Sequence, residues 1–158
     1  MTTTHIKSPY SAENVAKHFI YLASQVFVGD NKEREGITNL KLQKILYFAQ
    51  AYYLSKLGKP LFSDAIEAWE YGPVVPSVYK KYREHVSDSI ILEKDEAMLS
   101  DGDRENLKRV WDLFGGYSAG RLVEIAHAHS PWKEAYASQN KVISHKSISE
   151  YYTPILNK

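Results

Sequence analysis

Apolar residues crowd the stretch ITNLKLQKILYFAQAYYLSKLG, residues 37 to 58. At the helical period, Leu42, Ile45, Leu46, Ala49, Tyr52, Tyr53 and Leu57 share one broad face. Leu40, Tyr47 and Leu54 add a second strip. A surface helix carries one stripe, and a helix that is apolar nearly all round is enclosed by neighbours on several sides. Thr38 or Asn39 opens it as a cap, Gly58 closes it, and Pro60 prevents its continuation. The pattern predicts a central helix over 38–57, the most enclosed of the fold.

One narrow face departs from this pattern. Lys41, Lys44, Phe48, Ala51 and Ser55 recur at spacings of three and four and mix two cations with a large ring. They read either as a solvated strip with Phe48 tucked under a neighbouring segment, or as a docking surface, since aromatics beside long cations are common at interface hot spots. On the docking reading, charge reversal at Lys41 and Lys44 leaves the fold intact and breaks the partner contact.

The remaining periodicity is mostly helical. Residues 1 to 9 read as a flexible lead-in. Ser11 caps a helix with Glu13 in its first turn and a stripe of Val15, Phe19, Leu22, Ala23 and Val26, widened by Ala16, Ile20 and Phe27. GDNKEREG, residues 29–36, is a charged connector. In residues 65–71, Ile66, Ala68 and Glu70 alternate against Glu67, Trp69 and Tyr71, a strand pattern, and IILEK at 90–94 offers it a pairing partner. Between them GPVVP forces a bend, and Pro76 suits the first position of a helix bearing Val78, Tyr79, Tyr82 and Val86.

Further helices follow. Ser100 to Asp103 caps one with Leu107, Val110, Trp111 and Phe114 on its stripe, stopped by Gly115 and Gly116. Ser118 caps the next, with Leu122, Val123 and Ala126 inward. Ser130 and Pro131 start a turn carrying Trp132, Ala135 and Tyr136. Ser147 with Glu150 has capping-box spacing for a short last helix before Pro154. The expected fold is mainly α: a compact helical domain around one central buried helix, with at most a small two- or three-stranded β-ribbon. One domain over 1–158, its core about 12–157, accounts for the chain.

Composition narrows the function. Among 158 residues, 44% are hydrophobic and 25% charged, as in folded chains, and the net charge is +1. No global basic field draws it to nucleic acid or anionic lipid. Cysteine is absent, which removes disulfides, thiolate catalysis and cysteine-bound zinc. No apolar run reaches the length of a membrane span, and the N-terminus lacks a signal-peptide core, so a cytoplasmic location is expected. Twelve tyrosines against five phenylalanines favour polar-tipped aromatic surfaces, in cores bordering water or at interfaces.

The chemistry on offer is sparse. His127 and His129 are two apart and fall on different sides of a helix, unlike the i, i+4 pairs that bind metal. They read as structural histidines or helix-end cations, and no metal or cofactor is expected. GGYSAGR, residues 115–121, lacks the phosphate-loop pattern and a preceding strand, and reads as a helix stop followed by a cap. Asp64, Glu67, Glu70, Glu124 and Glu134 form no acid–base pair by spacing, and no nucleophile motif occurs. The chain reads as a binding module without catalytic residues. Lysines at 41 and 44 beside a turn suggest a helix-turn-helix regulator, yet a helix apolar nearly all round offers no polar face to base edges.

Three segments, TNLKLQKILYFAQAYYLSKLGKPLF, IEAWEYGPVVPSVYKKY and LVEIAHAHSPWKEA, closely resemble the Panacea domain of SocA-like antitoxins and phage-associated GepA-like proteins. The resemblance covers roughly residues 12 to 137. It falls on Leu42, Gln43, Lys44, Tyr47, Ala68, Trp69, Tyr71, Gly72, Pro73, Val74, Tyr79, His127, Pro131 and Trp132, most of them expected to build the fold. Ala126-His127 departs mildly from the family's Thr-His. The resemblance implies an antitoxin of a type II-like toxin–antitoxin system, of the kind found in prophages and phage defence, that neutralises a cognate toxin by direct binding. A second implied mode is an adaptor that delivers the toxin to a cellular protease. Some relatives carry an added N-terminal DNA-binding domain for which this chain offers no stretch, which leaves autoregulation open, and with a near-neutral net charge specific duplex binding by the isolated chain is not expected. The expected toxin-docking surface is Lys41, Lys44 and Phe48 with the bend Tyr71, Pro73, Val74 and Val75.

Overall fold

A computed structural model describes residues 7–85 and 87–157. Seven α-helices and two small antiparallel ribbons occur among them. Helix α1 spans Ala12–Ser24 and is capped by Ser11, whose side chain accepts from the Asn14 amide. Strands β1 (Phe27–Val28) and β2 (Glu33–Arg34) form a hairpin inside the stretch expected to be a connector. Helix α1 therefore ends before Val26 and Phe27, and Phe27 is exposed rather than part of the helical stripe.

Helix α2 spans Asn39–Tyr52, with Thr38 accepting from the Lys41 amide as its cap, and continues as a π-helical turn over Tyr53–Leu57. Every residue from Leu42 to Ala51 is buried. The cause is its surroundings. The first helix packs on it, as do β4 (Gly72–Val74), α3 (Pro76–Lys81), α4 (Asp101–Phe114), α5 (Ala119–His127) and α7 (His145–Leu156). A helix covered on that many sides needs apolar residues all round, as the sequence shows. The π turn shifts the register at its end, leaving Leu57 exposed where the regular period placed it inside.

Strand β3 (Glu67–Trp69) pairs with β4 and not with residues 90–94, which corrects the expected ribbon. Trp69 opposes Gly72 across a two-residue turn of Glu70 and Tyr71. Gly72 has φ of +100°, and a Cβ there would sit 2.8 Å from Cε of Lys44, so both backbone and space require glycine. Ile90 exchanges backbone hydrogen bonds with Ile37 instead. The free edge of β3 is met by residues 141–143, through Ala68 N–H to the Lys141 carbonyl and Ile143 N–H to the Ile66 carbonyl.

Helix α6 spans Ser130–Ala137, with Pro131 in its first turn and His129, not Ser130, at the cap. Helix α7 starts after Ser144, whose Oγ accepts from the Ser147 amide, and runs through Pro154 to Leu156. Ser147 thus sits one turn inside a helix longer than its capping-box spacing suggests. Helix α3 is short, and Val86 lies outside the described residues.

Tyrosine serves the core more than the surface. The hydroxyls of Tyr10 and Tyr53 both donate to the Asp103 carboxylate, joined by Ser100 Oγ at 2.9 Å. This knot ties the π turn and α4 to Tyr10, which also bonds backbone to backbone with Leu61 and Ser63. Burial alone would raise the Asp103 carboxyl; the three hydroxyls outweigh it and hold it below its ordinary range. The expected lead-in is consequently docked by residue 10, and its residues 1–6 lie outside the described ones. Hydroxyls of Tyr47 and Tyr152 meet at 3.1 Å in the same core.

Candidate partner-binding surface

The polar residues of α2 act as struts. Gln43 donates to Asn39 at 2.9 Å and accepts from the Val75 amide at 2.8 Å. Asn39 in turn donates to the Tyr79 carbonyl. Gln50 donates to the Phe62 carbonyl and accepts from the Leu61 amide. Each satisfies a backbone group that burial would otherwise leave unpaired.

Lys44 belongs to this set. It is 0% exposed, and its Nζ donates to the Pro73 carbonyl at 3.0 Å. Burial pushes its ammonium down to about 7. Lys44 is therefore not on a solvated strip. Its charge is covered by β4, a segment 29 residues later in the chain. Phe48 is buried too, stacked on Phe114 with centroids 4.5 Å apart and planes within 10°. Lys41 is half-buried, its Nζ donating to the Gly115 carbonyl at 2.6 Å and lying 5.5 Å from the centroid of the Trp111 ring.

Pro73, Val74 and Val75 are buried in the same way. Of the seven residues expected to dock a partner, five are interior, and only Lys41 and Tyr71 reach solvent. Tyr71 does so strongly, at 65% exposure on the tip of the β3–β4 hairpin. It borders a depression shared with Asn39, Leu40 and Tyr79. Tyr79 meets Trp69 edge to face, with centroids 5.1 Å apart.

The hairpin that carries Tyr71 is held from several directions. Trp132 Nε1 donates to the Trp69 carbonyl at 2.9 Å, Lys44 to Pro73 and Gln43 to Val75. His127 stacks on Trp132 with centroids 4.0 Å apart, and Trp132 stacks on Tyr136. His129 turns elsewhere, with Nδ1 2.7 Å from the Tyr152 hydroxyl. The two histidines thus serve separate contacts. Among the seven expected docking residues Tyr71 is the most exposed, and its exposure could not be read from a strand alternation that Trp69 and Glu67 share.

The β3–β4 hairpin lies within the segment that is similar to known proteins. The chain belongs to the family described as Antitoxin SocA-like, Panacea domain, whose model matches residues 42–133. It is 38% identical over 109 residues to the Antitoxin SocA of Caulobacter vibrioides (strain NA1000 / CB15N), a match covering 61% of this chain and 58% of that protein. The chain thus spans less than two thirds of that relative's length. No solved structure matches this chain. Among the described residues no helix is long and apolar enough to cross a membrane.

Proposed function

We propose that this chain is an antitoxin that neutralises a protein toxin by holding it directly, with Tyr71 as the central anchor. Family membership supports the antitoxin role. The single observation that carries the contact is Tyr71, a large ring displayed on a hairpin tip whose base is fixed by three long-range hydrogen bonds. A ring presented on a rigid base loses little freedom on binding, so more of its contact energy reaches the complex. The neighbouring depression at Leu40 and Tyr79 receives an apolar side chain. On this reading the chain is a non-catalytic binding protein.

Tyr71→Ala tests it. The ring is largely exposed and its hydroxyl makes no hydrogen bond among the described residues, so the variant is expected to melt with the parent. Its affinity for the cognate toxin is expected to fall at least about tenfold, as for an aromatic hot spot. Rescue of toxin-expressing cells should fall with it. Unchanged affinity in the folded variant removes Tyr71 from the contact. Delivery to a protease requires the same first contact and is separated by repeating the rescue in cells lacking the protease, where direct neutralisation persists.

A further inference from the structure

At the far end of α2 two adjoining depressions, of about 210 and 400 Å³, share Tyr52, Leu113 and Leu156. Together they form one groove walled by α2, α4 and α7. Its floor is apolar, with Phe48 and Phe114 stacked beneath and Ile155 at the side. Leu113 and Ile155 are 55% and 45% exposed, far more than the core residues beside them. The π turn of α2 begins at this groove, immediately after Tyr52, and such turns recur at functional sites.

The rim is charged on one side. Arg109, Lys56 and Asp112 border the outer depression. Asp112 is bonded to Lys108 at 2.6 Å and so is neutralised. Arg109 bonds only to the neutral Asn106 side chain and Lys56 to the Leu156 carbonyl. Among the described residues neither cation has a carboxylate partner within salt-bridge distance. The uncompensated charge facing the groove is therefore basic.

We infer that this groove binds an amphipathic helix of a partner protein, one that presents bulky apolar side chains flanked by carboxylates. An elongated trough between helices with an apolar floor accepts the apolar face of such a helix at i, i+3 or i+4, and i+7. The two cations select acidic flanks and disfavour basic ones. Leu113 and Ile155, which cost the free protein exposed apolar area, become covered. The inference stands on other residues than the toxin contact at Tyr71, and neither test uses a variant of the other.

A displayed library of randomised 18-residue helices, selected against the full chain, tests this. Enriched helices are expected to carry Leu, Phe or Trp at helical spacing with Glu or Asp alongside. Leu113→Asp, at an exposed position, is expected to melt like the parent and to bind these helices at least about tenfold more weakly. Arg109→Glu, which leaves the apolar floor intact, is expected to shift the selection toward Lys-flanked helices. The inference fails if no helix is enriched over the Leu113→Asp control, or if acidic flanks are absent. It also fails if the chain self-associates in sedimentation and Leu113→Asp abolishes the dimer, because the groove then belongs to a second copy.

Discussion

Lys44→Glu is expected to destabilise the chain by at least about 4 kcal/mol, a large share of the stability of an ordinary domain. The new carboxylate would sit fully buried against the Pro73 carbonyl, acceptor against acceptor, in place of a donor. Lys44→Met retains most of the buried stem and removes the charge. It is expected to stay within about 2 kcal/mol of the parent, having lost one hydrogen bond and one desolvation cost. Urea denaturation followed by tryptophan fluorescence separates the pair. Equal losses in the two variants would show that the charge is not what the site is built around.

The same burial sets a pH dependence. With the Lys44 ammonium lowered from 10.5 to about 7, the unfolded chain binds more protons than the folded one between those values. Stability is therefore expected to rise as pH climbs from about 7 to about 9.5, by at most about 1.4 kcal/mol per unit. Above about 10 the buried tyrosines, held protonated in the fold, oppose the trend. Lys44→Met should flatten the rise.

Leu46→Ala is expected to cost about 2–5 kcal/mol, the range for a buried leucine removed from a close-packed core. Leu46 is 0% exposed, on the helix contacted by five other helices, so the cavity has little freedom to collapse. A loss below about 1 kcal/mol in the same denaturation measurement would contradict the central role of α2.

The enclosure of α2 was legible because its apolar residues occupy every direction around the axis, and only contact on several sides makes that profitable. The role of Lys44 was not. Read locally, a lysine three residues from Lys41 and four from Phe48 belongs to a wet face. What buries it is a carbonyl from a hairpin formed much later in the chain, and no local pattern announces such a partner. The hairpin itself escapes the local pattern for a related reason. Pro73 and Pro76 signalled a bend, while the tight turn at Glu70 and Tyr71 closed one step earlier, with Gly72 taking the left-handed conformation. Proline fits β4 because its missing N–H is spared where a strand pairs on one edge. Of the expected docking surface, Tyr71 and Lys41 reach solvent, and the sequence groups them with interior neighbours that only the packing could separate.

The central claim, direct neutralisation, is tested most directly with purified components. The cognate toxin is titrated with this chain in the absence of any protease while toxin activity and complex formation are followed together. The account predicts that activity disappears as a defined complex forms, at stoichiometric addition. Full toxin activity in the presence of excess chain, with no complex detected, would contradict it.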